Sequence, residues 1–268
     1  MRDPIIAWLT DFGTRDFYVA AMKAVALGIC GRAQLVDVTH DIEPQDIAGA
    51  SLVLGSCYRD FPAGTVFVVV VDPGVGTLRR AVALEAAGHR FVAPDNGVLT
   101  AVIDAEPSWR AVELDAPHLQ RRMVSRTFEG RDRFAPIAAW LALGHSIDEC
   151  GRPVSDLERL DRVRPMVRGD RLEGIVEWVD RFGNLVTNIP RETLERFADG
   201  RSVRVEAGDR LVPRPVETYA ALDAGELGVL VGSTNHVELA VGRGSAAAAT
   251  GLARGARVIV AHAARADG

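Results

Sequence analysis

The chain alternates short apolar runs with polar turns. Ile5-Ile6-Ala7-Trp8-Leu9 and residues 34–38 predict strands, and Val66-Phe67-Val68-Val69-Val70-Val71 is a continuous, largely β-branched run. A run of that kind predicts a strand buried on both faces, as in the middle of a parallel sheet. Within 17–29, Val19, Met22, Val25, Ala26 and Ile29 recur at helical spacing, and 46–57, with Pro44 just before it, predicts a second helix. Asp16 stands where it would cap the first of these helices. Residues 81–85 and 90–93 flank Gly88 as a hairpin pair, 98–103 reads as a helix and 109–114 as a strand. Residues 137–143, apolar almost all round, predict a buried helix. The alternation indicates an α/β layer domain with a largely parallel sheet over residues 1–160.

From there the texture changes. Residues 161–170, with Arg162, Arg164, Pro165 and Arg168, read as a linker. Beyond them lie short strands at 172–179, 185–189, 202–205, 228–231, 237–241 and 257–261, with helical signals only at 191–197 and 246–252. That pattern predicts a small β-barrel or sandwich as the second domain, over 171–268.

Composition narrows the function. With 48% hydrophobic and 25% charged residues, the 268-residue chain can bury a sizeable core as a soluble globular protein. Lys and Arg number 31 against 36 Asp and Glu, and no basic tract exists, which argues against a nucleic-acid partner held through phosphates. Cys30, Cys57 and Cys150 are widely spaced and lack a C-x-x-C pair, so they read as small core residues in a reducing compartment. The opening residues lack the long apolar segment of a signal peptide and no run approaches membrane-spanning length; the expectation is a cytoplasmic protein without a membrane partner.

Candidate chemistry collects where strands end. Asp72-Pro73-Gly74-Val75-Gly76 follows the most apolar run, so an acid sits on a stiff turn at the carboxyl edge of a sheet, with Arg79 a short reach away. Asp11 ends the first strand, where a carboxylate either accepts two hydrogen bonds from a vicinal diol or braces its loop. Pro94-Asp95-Asn96-Gly97 is a third strand-end turn. In the second domain Asp180-Arg181-Phe182-Gly183-Asn184, followed by Thr187-Asn188-Ile189, groups a carboxylate, an aromatic face and an amide. Such a set suits a ligand with an ammonium group and a purine ring; as an isolated pattern it reads first as a β-turn with Gly183 at positive φ. Gly232-Ser233-Thr234 is a weaker case of the same kind. His40, His118 and His236 read as structural.

Together T-D-F-G-T-R-D-F-Y-V-A-A-M-K, V-D-P-G-V-G-T-x-R, A-P-D-N-G, T-F-E-G-R-D-R-F-A-P, D-R-F-G-N-x-x-T-N-I and G-S before V-E-L-A-V resemble the S-adenosyl-L-methionine (SAM) hydroxide adenosyltransferases. These are adenosine-forming SAM hydrolases related to the fluorinase and chlorinase. The resemblance implies an N-terminal α/β domain, a C-terminal β-barrel and a homotrimer with active sites at subunit interfaces. It assigns Asp11 to the ribose hydroxyls; Asp16, Asp180 and Ser233 to the methionine amino and carboxylate groups; and Phe182, Asn184 and Tyr219 to the adenine. Asn96 is counted with the substrate-binding residues. Thr234 stands where the halogenases have an arginine. Asp72 and Arg79 match two members of a water-orienting Asp-Arg-His set, and Glu129 occupies the histidine position.

The expected reaction is attack of water or hydroxide at the ribose C5′, in line with a sulfonium that leaves as a neutral thioether, giving adenosine and L-methionine without a metal or cofactor. A glutamate beside an arginine and a second carboxylate is a conceivable base, or else only a salt-bridge partner of Arg131 or Arg79. The alternatives are a halide transferase in the same pocket, which two carboxylates near a single Arg79 disfavour, and a SAM- or adenosine-binding protein that has lost turnover.

Overall fold

The computed structural model describes residues 2–122, 125–213 and 215–263. They fall into two compact units, Met1–Leu160 and Asp161–Gly268.

In the first unit the elements run β1 (Ile5–Thr10), α1 (Tyr18–Ile29), β2 (Gln34–Thr39), α2 (Ile47–Cys57), β3 (Val66–Val70), β4 (Ala81–Ala86), β5 (His89–Pro94), α3 (Thr100–Ala105), β6 (Trp109–Leu114), α4 (Ala135–Ala142) and β7 (Gly151–Val154). The strands order as β2-β1-β3-β5-β4-β6-β7. The first four are parallel, while β4, β6 and β7 add antiparallel, so the parallel character belongs to one half of the sheet. The reason is local. The tight turn at Ala87 and Gly88, both at positive φ, returns the chain antiparallel, whereas β1 to β3 are joined through helices.

Strand alternation sorts the core into two layers. Ile6, Trp8, Val66 and Val68 face one side with Met22 and Ala26 of α1 and Ile137 and Leu141 of α4. Ala7, Leu9, Phe67 and Val69 face the other with Ala50 and Leu54 of α2 and Val102 and Ile103 of α3. Burial on both faces is why β1 and β3 lack polar alternation.

Two local expectations fail. Asp16 does not cap α1: the N-cap position falls on Phe17 without a side-chain bond, and Asp16 is exposed. Pro44 lies outside α2, which Asp46 caps by accepting from Gly49 N at 2.9 Å. One element escaped the apolar pattern altogether, a π-helical turn at Gly130–Phe134 that leads into α4. No helix among the described residues is long and apolar enough to cross a membrane.

The second unit holds β8 (Met166–Arg168), β9 (Arg171–Val179), β10 (Leu185–Pro190), α5 (Arg191–Ala198), β11 (Val203–Ala207), β12 (Arg210–Val212), β13 (Leu227–Val231), β14 (His236–Val241), α6 (Ala246–Thr250) and β15 (Arg257–His262). Strand β8 lies inside the stretch expected to be a linker and pairs antiparallel with β9. The sheet runs β12-β11-β15-β9-β10-β14-β13, every strand pair antiparallel. Pro215 bridges to Val229 of β13, so the β12 and β13 edges approach and the sheet nearly closes as a barrel. Strand β9 turns the corner: Arg171 to Ile175 pair with β15, and Val176 to Val179 pair with β10. The interior is Leu172, Val176, Leu185, Ile189, Leu239 and Val260 with their neighbours. Thr187 and Asn188 belong to this frame. Thr187 Oγ1 donates to Val237 O at 2.8 Å, and Asn188 accepts from Ile175 N at 2.9 Å and donates to Val163 O at 2.7 Å.

Gly97 sits at φ +92°, and a Cβ there would lie 2.9 Å from Leu160 Cγ. Gly97→Ala is expected to lower stability by about 1–3 kcal/mol, read from urea unfolding, because an L side chain at that φ is strained and crowded.

Candidate functional site

The carboxyl edge of the parallel strands collects the predicted acids of the first unit. Register pairs Thr10 with Val70, so Asp11 and Asp72 leave neighbouring strands at the same edge. Asp72 is clamped by Arg79: Nε donates to Oδ1 at 2.9 Å and Nη2 to Oδ2. The same Nη2 donates to Glu129 Oε2 at 2.8 Å, and Arg133 Nη1 approaches that oxygen at 3.5 Å. The side chains of Asp72, Arg79 and Glu129 are only 4%, 10% and 8% exposed. Burial would lower the Arg79 pKa, but its hydrogen bonds and charge contacts with Asp72 and Glu129 outweigh that and raise it above its ordinary value, so the guanidinium stays charged.

Charge therefore alternates across four groups, Asp72, Arg79, Glu129 and Arg133. The sequence had placed a single arginine between two acids; the second guanidinium comes from one turn further along the π-helical segment. Glu129 Oε2 serves both cations, while Oε1 has no hydrogen-bond partner among the described residues. Glu129 also lines a cavity of about 570 Å³ with Gly76, Thr77, Leu78, Arg126 and Arg133. Arg131, one of the expected partners of Glu129, pairs instead with Asp132 at 2.8 Å.

The Asp72 turn is braced from both ends by the third strand-end motif. Asn96 Nδ2 donates to Val71 O at 2.9 Å, and its Oδ1 accepts from Val98 N at 3.2 Å. Asp95, buried, pairs with Arg80 at 2.7 Å. Asn96 thus holds the backbone that presents Asp72. Asp11 Oδ2 accepts from Gln45 N at 2.8 Å, bracing its loop with one oxygen. His40 is structural in the same region. Its ring bonds Thr10 Oγ1 at 2.8 Å and Asp37 at 2.9 Å, and its carbonyl accepts from Gly13 N at 2.8 Å, fixing the turn that carries Asp11. Asp16 lies beside an aromatic group the sequence reading did not single out, Phe12, Phe17, Tyr18 and Phe128, with Tyr18 and Phe128 centroids 5.2 Å apart. The aromatic residues flanking both acidic motifs were the available signal.

The second unit brings its predicted residues together around a cavity of about 780 Å³. Asp180, Phe182, Asn184, Tyr219, Ser233 and Thr234 line it, joined by Trp178, Val186, Glu238, Val241, Arg243 and Gly244. Asp180 builds the turn: Oδ1 accepts from Phe182 N at 2.9 Å and Asn184 N at 2.8 Å, and Oδ2 accepts from Asn184 Nδ2 at 2.9 Å. That last bond orients the Asn184 amide. Phe182 is 77% exposed, an aromatic face held out on a rigid turn. Gly183 needs φ +82°, and a Cβ on it would strike Ser245. Thr234 Oγ1 is buried without a hydrogen-bond partner in the structure.

Glu238 is the residue that sequence reasoning missed. Burial pushes its carboxyl up, the Tyr219 hydroxyl pulls it back in part, and the Asp180 charge adds to the rise. A lone acid in V-E-L-A-V was visible, but which face of the strand it occupied was not. Among the described residues no group of three His, Cys, Asp or Glu side chains is placed to hold a metal ion. Burial, with neighbouring carboxylates, pushes the thiols of Cys57 and Cys150 up to about 11, which leaves neither a ready nucleophile.

Residues 6–151 match the SAM hydroxide adenosyltransferase N-terminal domain, and residues 174–259 match the corresponding C-terminal domain. The chain belongs to the SAM hydroxide adenosyltransferase family. Among its curated relatives, the (R)-S-adenosyl-L-methionine hydrolase of Thermus thermophilus is 39% identical over 260 residues, covering 93% of this chain and 96% of the relative. The enzyme of the same name from Salinispora tropica is also 39% identical, over 96% and 97%. A fluorinase from Nocardia brasiliensis is 32% identical, over 86% of each chain. A solved structure from Thermotoga maritima, described as an uncharacterized conserved protein, is similar at a TM-score of 0.91 and 36% identity, covering 96% of this chain and all of that one.

Within this family member, Arg79 is the buried cation that two buried carboxylates share. Arg79→Met is expected to destabilise the protein by about 3–5 kcal/mol in urea unfolding, because it strands both acids. Glu129→Gln, which keeps the Asp72 pair, is expected to cost clearly less; equal losses would mean that the Arg79–Asp72 pair adds nothing beyond the Glu129 contact.

Proposed function

We propose that the protein hydrolyses SAM to adenosine and L-methionine. The observation that carries this reading is the Asp72–Arg79–Glu129 cluster, buried at the end of β3 and open on one side to a cavity through Glu129. The hydrolase names of relatives covering nearly the whole chain point the same way. In the proposed step the water oxygen bonds to C5′ as the C5′–S bond breaks; sulfur keeps the bonding pair and departs as a neutral thioether. The water's proton passes to a carboxylate, and Glu129 Oε1 is the oxygen without a hydrogen-bond partner among the described residues. Arg79 holds both acids in place, so the nucleophile meets a fixed dipolar frame that needs little reorganisation.

The remaining roles follow the chemistry of the groups. Asp11 keeps one oxygen for a ribose diol, and Asp16 and Ser233, both exposed, are suited to the polar methionine end. Phe182, Tyr219 and Trp178 offer aromatic faces to adenine, with Asn184 oriented by Asp180 as its hydrogen-bonding partner. Asp180 is committed largely to its turn, so its contact with the methionine ammonium uses whatever lone pairs the turn leaves. The proposal includes a homotrimer with shared sites, which sedimentation or light scattering of the purified protein tests directly: a monomer at assay concentration that still turns over removes it.

The activity test is incubation with SAM, with and without chloride, following adenosine, 5′-chloro-5′-deoxyadenosine and methionine by chromatography. Adenosine and methionine are expected in equal amounts. Asp72→Ala and Glu129→Gln are each expected to lower kcat by about 100-fold or more, the range for a misplaced or missing general base. A chlorinated product would move the reading to halide transfer, which the second guanidinium, Arg133, makes electrostatically less forbidding than one arginine alone would. Binding of SAM without any product would identify a binding protein.

A further inference from the structure

The cavity of the second unit has one wall that is tethered rather than built in. Tyr219 belongs to a segment crossing the outer face of the barrel, where Leu222 and Val216 pack on Leu230 and Ala240. Its ring is half exposed, and its hydroxyl donates to Glu238 Oε1 at 2.6 Å. Glu238 itself is 3% exposed. It stands in a cross-strand row, with Val186 opposite both Trp178 and Glu238 and with Leu230 opposite Glu238 on the far side. All of these point outward from the barrel core, which takes Val237 and Leu239 instead. Gly232 lacks a side chain where a Cβ would meet Glu238 Oε2, so the neighbouring turn leaves room for this acid.

Burying a carboxylate is unfavourable unless it is paired, and no described cation forms an ion pair with Glu238. Its row neighbours are apolar, so packing alone would be met by Leu or Val. The phenol is the one described group that bonds it.

We propose that Glu238 is a positioning residue for nucleoside binding: its buried carboxylate fixes the Tyr219 phenol, and so holds the ring as a rigid wall for the flat face of a purine nucleoside. The proposal rests on the assignment of this cavity to adenine under Proposed function. A ring on a surface segment has two soft torsions and a mobile backbone; a hydrogen bond at its tip removes that freedom before the ligand arrives and lowers the entropy lost on binding. Glu238 acts through Tyr219 and does not need to touch the ligand.

The test uses the full chain with adenosine as the probe in calorimetric titrations, alongside KM and kcat for SAM. Tyr219→Phe, which keeps the ring and loses the tether, and Glu238→Leu, which loses the acceptor, are each expected to weaken adenosine binding about 5- to 20-fold. The double variant is expected to be no weaker than the worse single one, since both remove one interaction. Glu238→Gln, whose amide oxygen still accepts from the phenol, is expected within about threefold of the parent. KM is expected to rise with the loss of affinity while kcat moves little. Losses that multiply in the double variant, or a Gln variant as damaged as the Leu one, would overturn the proposal, because Glu238 would then act by its own charge. So would Tyr219→Phe binding as the parent does. If Glu238→Leu fails to fold, Tyr219→Phe and Glu238→Gln decide by themselves. A parent protein that does not bind adenosine at all sinks the adenine assignment together with this inference; a binding parent with indifferent variants sinks only the latter.

Discussion

The guanidinium of Arg79, gripping Asp72 through two nitrogens and Glu129 through one of them, joins the end of β3 to the turn that opens α4. Much of the first unit is arranged to make that contact affordable. The strand is buried on both faces, so its end is fixed; Asn96 holds the Val71 carbonyl, and Asp95 holds Arg80 just past Arg79. Gly130 lets the π-helical turn approach α1, since a Cβ there would lie 2.9 Å from Met22 Sδ. An extra residue per turn in a helix is a local irregularity that recurs at functional sites. Here it is the segment that presents Glu129 and Arg133 together.

The second unit solves a different problem with the same device. Asp180 organises a turn through three accepted hydrogen bonds and in doing so aims Asn184, and Glu238 restrains Tyr219. In both units, acids whose charge suggests ligand contact are partly occupied in orienting other groups. Preorganisation of this kind suits an in-line displacement, where alignment and removal of water contribute more than covalent chemistry.

Strand ends were the legible part of the sequence. Asp11, Asp72 and Asn96 follow apolar runs that could only be buried strands, and glycines mark the turns. The D-R-F-G-N group was equally plain, because a turn that needs Gly183 at positive φ fixes the residues around it. What stayed hidden depended on which way a side chain points or which strand it neighbours. The hairpin of β4 and β5 was legible, but the pairings of β4 with β6 and of β6 with β7 that extend the antiparallel half join residues far apart in sequence. Asp16 looked like a cap, yet the helix begins one residue too late for its side chain to serve. Arg133 counted as one more arginine until the π-helical turn brought it to Glu129, and V-E-L-A-V did not say which face of its strand Glu238 occupies.

The substitution at 129 is best understood through its neighbours. A histidine in that position would bring a neutral or singly positive ring next to Arg79; a glutamate brings a full negative charge into a buried place already holding Asp72. Left with Arg79 alone, that arrangement would carry net negative charge and repel both an incoming hydroxide and a halide. Arg133, 3.5 Å from the shared oxygen, restores neutrality, and Arg126 lines the same cavity. The pairing of Glu129 with a cation one helical turn away therefore lets a carboxylate occupy the position without excluding an anionic nucleophile. In the proposed hydrolysis Glu129 therefore acts through its place in the cavity wall, fixed by Arg79 and Arg133, more than through the intrinsic basicity of the residue at that position.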